Sequence, residues 1–174
     1  AASDVYKRQA MLPVGFWLPK TYAVATTPVA ALFTIMTKVG IYAILRVNGT
    51  VFDDAISREI LQYILLPIGL ITSVYGVIGA MGAERLRRFI GFMILSSVGT
   101  ILIAISLFNT LAWAAALYYL VHSTIIAAAF YILSGWITSQ RGEFKDHFKI
   151  APQMKQHKVV ALTYFTIALM MAGL

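Results

Sequence analysis

Cysteine is absent from the 174 residues. That excludes a disulfide framework, thiolate chemistry and a Cys-ligated metal, and it leaves the redox compartment open. Charge is scarce as well. Lys, Arg, Asp and Glu make up 12% of the chain, about half the roughly 25% usual in soluble domains. A glycine-rich phosphate loop, paired catalytic carboxylates and a nucleophile–histidine motif are all missing, so nothing points to a soluble enzyme, a bound cofactor or a metal. No internal repeat or low-complexity segment is found. What fills the chain is apolar: 60% hydrophobic residues and a mean hydropathy of +0.80. The net charge of +7 sits in short connections between apolar runs. That is the positive-inside pattern of a multi-pass membrane protein; nucleic-acid binding would need a basic face.

The run 13–47 is the most informative. A Phe16-Trp17-Leu18-Pro19 corner leads into about twenty apolar residues, enough to rise roughly 30 Å and cross the hydrocarbon of a bilayer. The first full span is 28–47, with Pro28 in its first turn, where a missing N–H costs least. A polar loop 48–59 precedes the second span, 60–82. That span carries Pro67, expected to kink it, and Gly69, Gly76 and Gly79, which allow close helix approach. The turn 83–88 leads to the third span, 89–108. A short turn at Asn109 and Thr110 gives the fourth, 112–138, bracketed by Trp113 and Trp136 as interface belts. A polar loop, 139–158, precedes a truncated fifth span from 159. The turn 83–88 holds Arg85, Arg87 and Arg88, and the loop 139–158 is rich in Lys and Arg. The 48–59 loop has one arginine against three acids, and the 109–111 turn has no charge. The two basic connections are therefore expected on the cytoplasmic face, with Arg87-Arg88 as a topology anchor.

The ends look non-native. Ser3-Asp4-Val5-Tyr6-Lys7-Arg8-Gln9 is polar and resembles the translation of a transposase sequencing adapter. Residues 1–9 are expected to be an adapter-derived leader, the competing reading being a genuine polar tail. Residues 10–174 are then expected to be a transmembrane fragment of a longer protein.

Lys38 lies near the middle of the first span, where a lysine costs at least about 2.5–3.5 kcal/mol to insert. Such groups mark ion or proton pathways more often than packing. Thr34 and Tyr42 lie one turn to either side of it and Thr37 is adjacent, offering hydroxyls for water or for the ammonium. Desolvation disfavours a charged amine, and a lysine so placed can load and release a proton. The competing reading is snorkelling to an interface, which suits a lysine nearer a span end. His122 sits well inside the fourth span beside Ser123 and Thr124. An imidazole can relay protons between its two nitrogens, or it can serve as a hydrogen-bonded link between helices; the residues alone favour neither. Ser96, Ser97 and Thr100 can line a hydrated path but more commonly glue helices. His147 and His157 are expected in solvent.

Several runs resemble the proton-conducting membrane transporter family, which holds the antiporter-like subunits of respiratory complex I and the large subunits of Mrp-type cation/proton antiporters. They are Phe16-Trp17-Leu18-Pro19, the stretch Pro28-Val29-Ala30-Ala31-Leu32-Phe33 and the stretch from Thr37-Lys38-Val39-Gly40 to Arg46. The run Leu117-Tyr118-Tyr119-Leu120-Val121-His122-Ser123-Thr124, with Arg87-Arg88 and Ser97-Val98-Gly99-Thr100, resembles the D subunit of Mrp antiporters, also called Pha or Mnh. The resemblance covers essentially all of 11–174.

It implies an all-α polytopic bundle, a fragment of a fourteen-helix inverted-repeat fold running from the end of the seventh helix into the twelfth. It matches Lys38 to the family's central lysine of the eighth helix and His122 to its histidine of the eleventh, as proton relay residues. Thr34, Thr37, Tyr42, Ser97 and Ser123 are then candidate relay-lining groups. Lys20 stands where an aspartate often follows Trp-Leu-Pro, and Arg8, within the suspected leader, falls where a further key lysine would be. Other relay charges would lie outside the chain, so the fragment is not expected to transport alone. The expected function is that of a transporter subunit, not an enzyme: the D subunit of a multisubunit Na⁺ or K⁺/proton antiporter of a bacterial inner membrane. Its partners would be the other subunits, the ions and lipid. The alternatives are a proton-pumping subunit of complex I or a related membrane hydrogenase, and a non-conducting assembly subunit.

Overall fold

The computed structural model describes residues 17–50, 55–142, 146–148 and 156–172. The suspected leader, Arg8, and the lysines at 145, 149 and 155 lie outside the described residues. Six helices carry the rest: α1 (Trp17–Val24), α2 (Thr27–Thr50), α3 (Ala55–Met81), α4 (Leu86–Ser106), α5 (Thr110–Arg141) and α6 (His157–Ala172). Among the described residues there is no strand beyond an isolated bridge between Arg85 and His147. Four stretches are long and apolar enough to cross a membrane: Thr27–Val47, Gln62–Met81, Leu86–Ser106 and Thr110–Arg141. The chain is an all-α membrane protein, as its composition implies.

Two expectations about boundaries change. The Trp-Leu-Pro corner is itself a two-turn helix, α1, with Pro19 in its first turn, where no intrahelical N–H bond is forfeited. The chain breaks at Ala25 and Thr26. It restarts with Thr26 O accepting from Ala30 N at 2.9 Å, and Pro28 falls in the first turn of α2 as expected. The polar 48–59 loop is also shorter, because α2 continues to Thr50 and α3 starts at Ala55. Helix extension satisfies backbone groups internally, and polar end residues are absorbed into it. α3 runs unbroken through Pro67.

Helices α3 and α4 form the most extensive pair, and glycine is the reason. A Cβ on Gly76 would stand 2.5 Å from Ser96 N, and one on Gly99 would stand 2.5 Å from Ser73 N and 2.6 Å from Gly69 O. Gly79 lies flat under the Phe92 ring. Positions 69, 73, 76 and 79 of α3 thus meet 103, 99, 96 and 92 of α4 in reverse order, so the two helices are antiparallel. Their backbones touch in the manner of small-residue membrane interfaces. α4 also contacts α1, α2 and α5. It is 67% buried over its span, against 28–33% for the other three, which makes it the central helix.

The core divides in two. Around Leu18, Tyr22, Ile90, Leu95, Phe130 and Tyr131 lies one cluster, at the end that carries the basic connections. Ile41, Leu65, Val98, Ile101, Leu102 and Ala116 form the second, at the opposite end. Between them is a polar layer. It holds Thr34, Thr37 and Lys38 on α2, Thr72 and Ser73 on α3, Ser96 and Ser97 on α4, and His122 and Ser123 on α5.

Candidate functional site

Lys38 is 1% exposed. The face of α2 that carries Ala30, Thr34, Thr37, Lys38 and Ile41 turns inward while Leu32, Met36 and Val39 face outward, so Lys38 does not snorkel. Its Nζ donates to Ser97 Oγ of α4 at 2.6 Å, and Ser97 Oγ in turn donates to Ile94 O at 2.7 Å. Among the described residues no carboxylate pairs with the ammonium. A buried amine held by one neutral hydroxyl is poorly compensated as a cation. The expected local hydroxyls serve otherwise. Thr34 and Thr37 are buried beside Lys38, but their Oγ1 atoms donate to Ala31 O at 2.7 Å and Thr34 O at 2.9 Å. Tyr42 is 43% exposed and stands with Lys38 on an apolar lateral groove of about 340 Å³ between α2 and α5.

Ser97 has a second neighbourhood. Its side chain lines a cavity of about 40 Å³ shared with Ser96, Tyr119, His122 and Ser123, and closed by Met93, Ile126 and Met171. A cavity needs about 10–15 Å³ on this measure to hold one water, so this one is large enough. His122, half-buried, stacks on Tyr118 with ring centroids 6.0 Å apart and planes 12° from parallel. The structure therefore joins Lys38 to the wall of the His122 cavity through one residue, Ser97. Ser96 behaves as interhelical glue, its Oγ 3.5 Å from Ser73 Oγ. Thr100 is exposed and its hydroxyl donates to Ser96 O of its own helix at 3.1 Å. Ser123 lines the cavity while its hydroxyl donates to Leu120 O at 3.3 Å.

Three residues make contacts that the sequence does not imply. Arg87 is more than a topology anchor: its guanidinium turns inward, Nη1 donating to Ala25 O at 3.1 Å and Nη2 to Thr27 Oγ1 at 2.6 Å. His147 is half-buried, and its carbonyl accepts from Arg141 Nη1 at 2.7 Å, because its segment pairs with residues 84–86. Trp113 is also half-buried; its Nε1 donates to Ile105 O at 3.1 Å and ties the α4–α5 turn. Asp146, which carries no signal in the sequence, is buried with Oδ2 accepting from Arg87 N at 3.3 Å. It supplies the cap that Arg85, at the N-cap position of α4, does not. Of the cavity-wall residues not singled out from the sequence, Tyr119 has a signal available in its closeness to His122 along the helix. His157 is exposed, as expected.

Known proteins resemble this chain over most of its length. A probable K(+)/H(+) antiporter D subunit of Rhizobium meliloti is 42% identical over 125 residues, covering 71% of this chain and 23% of the relative. A Na(+)/H(+) antiporter D subunit of Bacillus subtilis is 29% identical over 167 residues, 94% of this chain and 33% of that protein. A chain in a structure of the Mrp complex from a Dietzia species superposes with a TM-score of 0.84 at 28% identity, over 98% of this chain and 31% of that one. The chain thus spans about a third or less of the length of these relatives. The family model described as NADH:quinone oxidoreductase/Mrp antiporter, transmembrane, matches residues 5–174. This chain belongs to the NADH:quinone oxidoreductase/Mrp antiporter transmembrane family.

Proposed function

We propose that the chain is part of the D subunit of a multisubunit antiporter exchanging Na⁺ or K⁺ for protons, and that Lys38, Ser97 and His122 relay the proton. One observation carries this reading: the buried Lys38 amine is hydrogen-bonded to the hydroxyl that also lines the His122 cavity. Proton hand-over follows from the donor–acceptor inventory. Ser97 Oγ accepts a proton from the ammonium while its own hydrogen swings from Ile94 O into the cavity. The cavity passes that proton to the free nitrogen of His122, whose other nitrogen can release one onward. Lys38 is left neutral and is ready to reload. The relatives' names include both K(+)/H(+) and Na(+)/H(+) antiporters, so either cation fits this reading. The remaining subunits, the two ions and lipid are the partners in it. The membrane is the bacterial inner membrane, with 83–88 and 139–158 on the cytoplasmic side.

The family description also covers NADH:quinone oxidoreductase, so a proton-pumping subunit of such a complex is the second reading. Subunits that co-purify with the full-length protein separate the two: flavin and iron–sulfur subunits indicate the oxidoreductase. The relay itself is tested with Lys38→Ala in the full-length subunit. Removing a poorly compensated buried cation relieves an insertion cost, so the variant is expected to insert and assemble normally while losing exchange. Cation/proton exchange is measured in everted vesicles under an imposed ΔpH. Parental exchange at parental expression would exclude Lys38 from the path.

A further inference from the structure

The geometry points to Arg87 as a positioning residue that sets the register of Lys38 against Ser97. This inference rests on the relay reading above. Arg87 carries the charge of a topology anchor, but an anchor's guanidinium sits in water or among headgroups. Here it is directed into the break between α1 and α2, where it holds Ala25 O and Thr27 Oγ1. Its Nε is sealed from solvent with no hydrogen-bond partner among the described residues. Leaving a buried donor unpaired is unfavourable, so the group is held in place by its two Nη bonds. Its own backbone is fixed from two further sides, N–H by Asp146 Oδ2 at 3.3 Å and carbonyl by Tyr131 O–H at 3.4 Å.

The α1–α2 break interrupts the helix, so α2 is oriented by side-chain contacts, among them Tyr22 of α1, whose hydroxyl donates to Phe33 O at 2.8 Å. Thr27 and Lys38 are about three full turns apart, which places them on one face of α2, and both meet α4. Thr27 is reached by Arg87, and Lys38 reaches Ser97. Apart from these two polar points the α2–α4 contact is slight, the least extensive of the principal helix pairs. The broad packing of α2 is on α5, and between α2 and α4 themselves these polar points are what fix where Lys38 falls along α4. Gly135 of α5 presses on the other side of Thr27, since a Cβ there would stand 2.5 Å from Thr27 Cγ2. Thr27 is gripped between a guanidinium and a helix backbone.

The test uses the full-length subunit, with any cysteines of its own removed and a single reporter cysteine at Ala30, which is 0% exposed. Thr27→Val removes one Nη partner and leaves every charge in place. We expect it to lower exchange at least fivefold at unchanged membrane level. It should also displace the pH profile of the remaining exchange and quicken labelling of the reporter by a small permeant thiol reagent at least threefold. Arg87→Gln should go further on all three. A merely structural role would reduce the number of assembled copies and leave the pH profile of each unchanged. That result in Thr27→Val, or parental exchange and labelling, overturns the assignment whether or not Arg87→Gln folds. Failure of the relay reading shows separately, as parental exchange in Lys38→Ala.

Discussion

A lysine in mid-membrane is legible in a sequence because its insertion cost leaves packing a poor reason for it to be there. Lys38 stands out on that ground, and it is buried. Its partner does not stand out. Ser96, Ser97 and Thr100 look alike as hydroxyls in an apolar span, yet successive helical positions differ by about 100°. One therefore faces α3, one faces Lys38, and one faces outward. Only the placement of α4 against α2 sorts them. Proximity along the helix favours Thr34 and Thr37 as partners of the amine, but their hydroxyls bond helix carbonyls instead. His122 remains the residue on which a relay and a structural link predict different outcomes. His122→Gln keeps hydrogen-bonding capacity but cannot titrate. In a relay it should lower exchange about tenfold or more, on the order of 1.4 kcal/mol in barrier, and flatten the pH dependence of exchange between about 6 and 8. Vesicle exchange measured across that range checks this; parental rates with an unchanged profile would remove His122 from the path.

Among the helices, the spans are readable from hydropathy because the bilayer demands about twenty apolar residues in one run. Their ends are not, since polar residues at 48–50 and 55–59 join helices whose stability comes from the apolar interior. α1 escapes a sequence reading because two prolines nine residues apart look like a corner, although each occupies the first turn of its own helix. Gly69, Gly76 and Gly79 do mark a close approach, as their spacing implies. Gly99, within a motif notable for its family likeness, is their counterpart. A side chain there meets backbone rather than a movable tip, so Gly99→Ala must separate α3 from α4. A loss of about 1–3 kcal/mol is expected. Gly82→Ala, where the nearest atom would be 3.9 Å away, should stay within about 0.5 kcal/mol. Denaturation of the purified full-length variants in detergent compares the two; equal stability would refute the backbone-contact account.

Across the whole molecule, the alternation of basic and non-basic connections predicts sidedness. Asn109, exposed at the α4–α5 turn, should react with an impermeant thiol reagent from the periplasm once changed to cysteine. A cysteine at exposed Arg85 should be protected in intact cells and react in everted vesicles. Ser57 and Lys145, which belong to the same two groups of connections, are expected to behave like Asn109 and Arg85 respectively. Labelling of Arg85→Cys but not Asn109→Cys in intact cells would invert the orientation.

The two basic connections are also stitched to one another. Leu86 N donates to Asp146 O at 2.9 Å, and Phe148 N donates to Glu84 O at 3.0 Å. Backbone pairing of this kind cannot reach across a membrane, so the segments around 85 and 147 share one compartment whatever the charge count says. The orientation of the α4–α5 hairpin is thereby a single binary choice. A reporter on either connection decides it for both, and a mutant that moved only one of them would have to unzip the hairpin first.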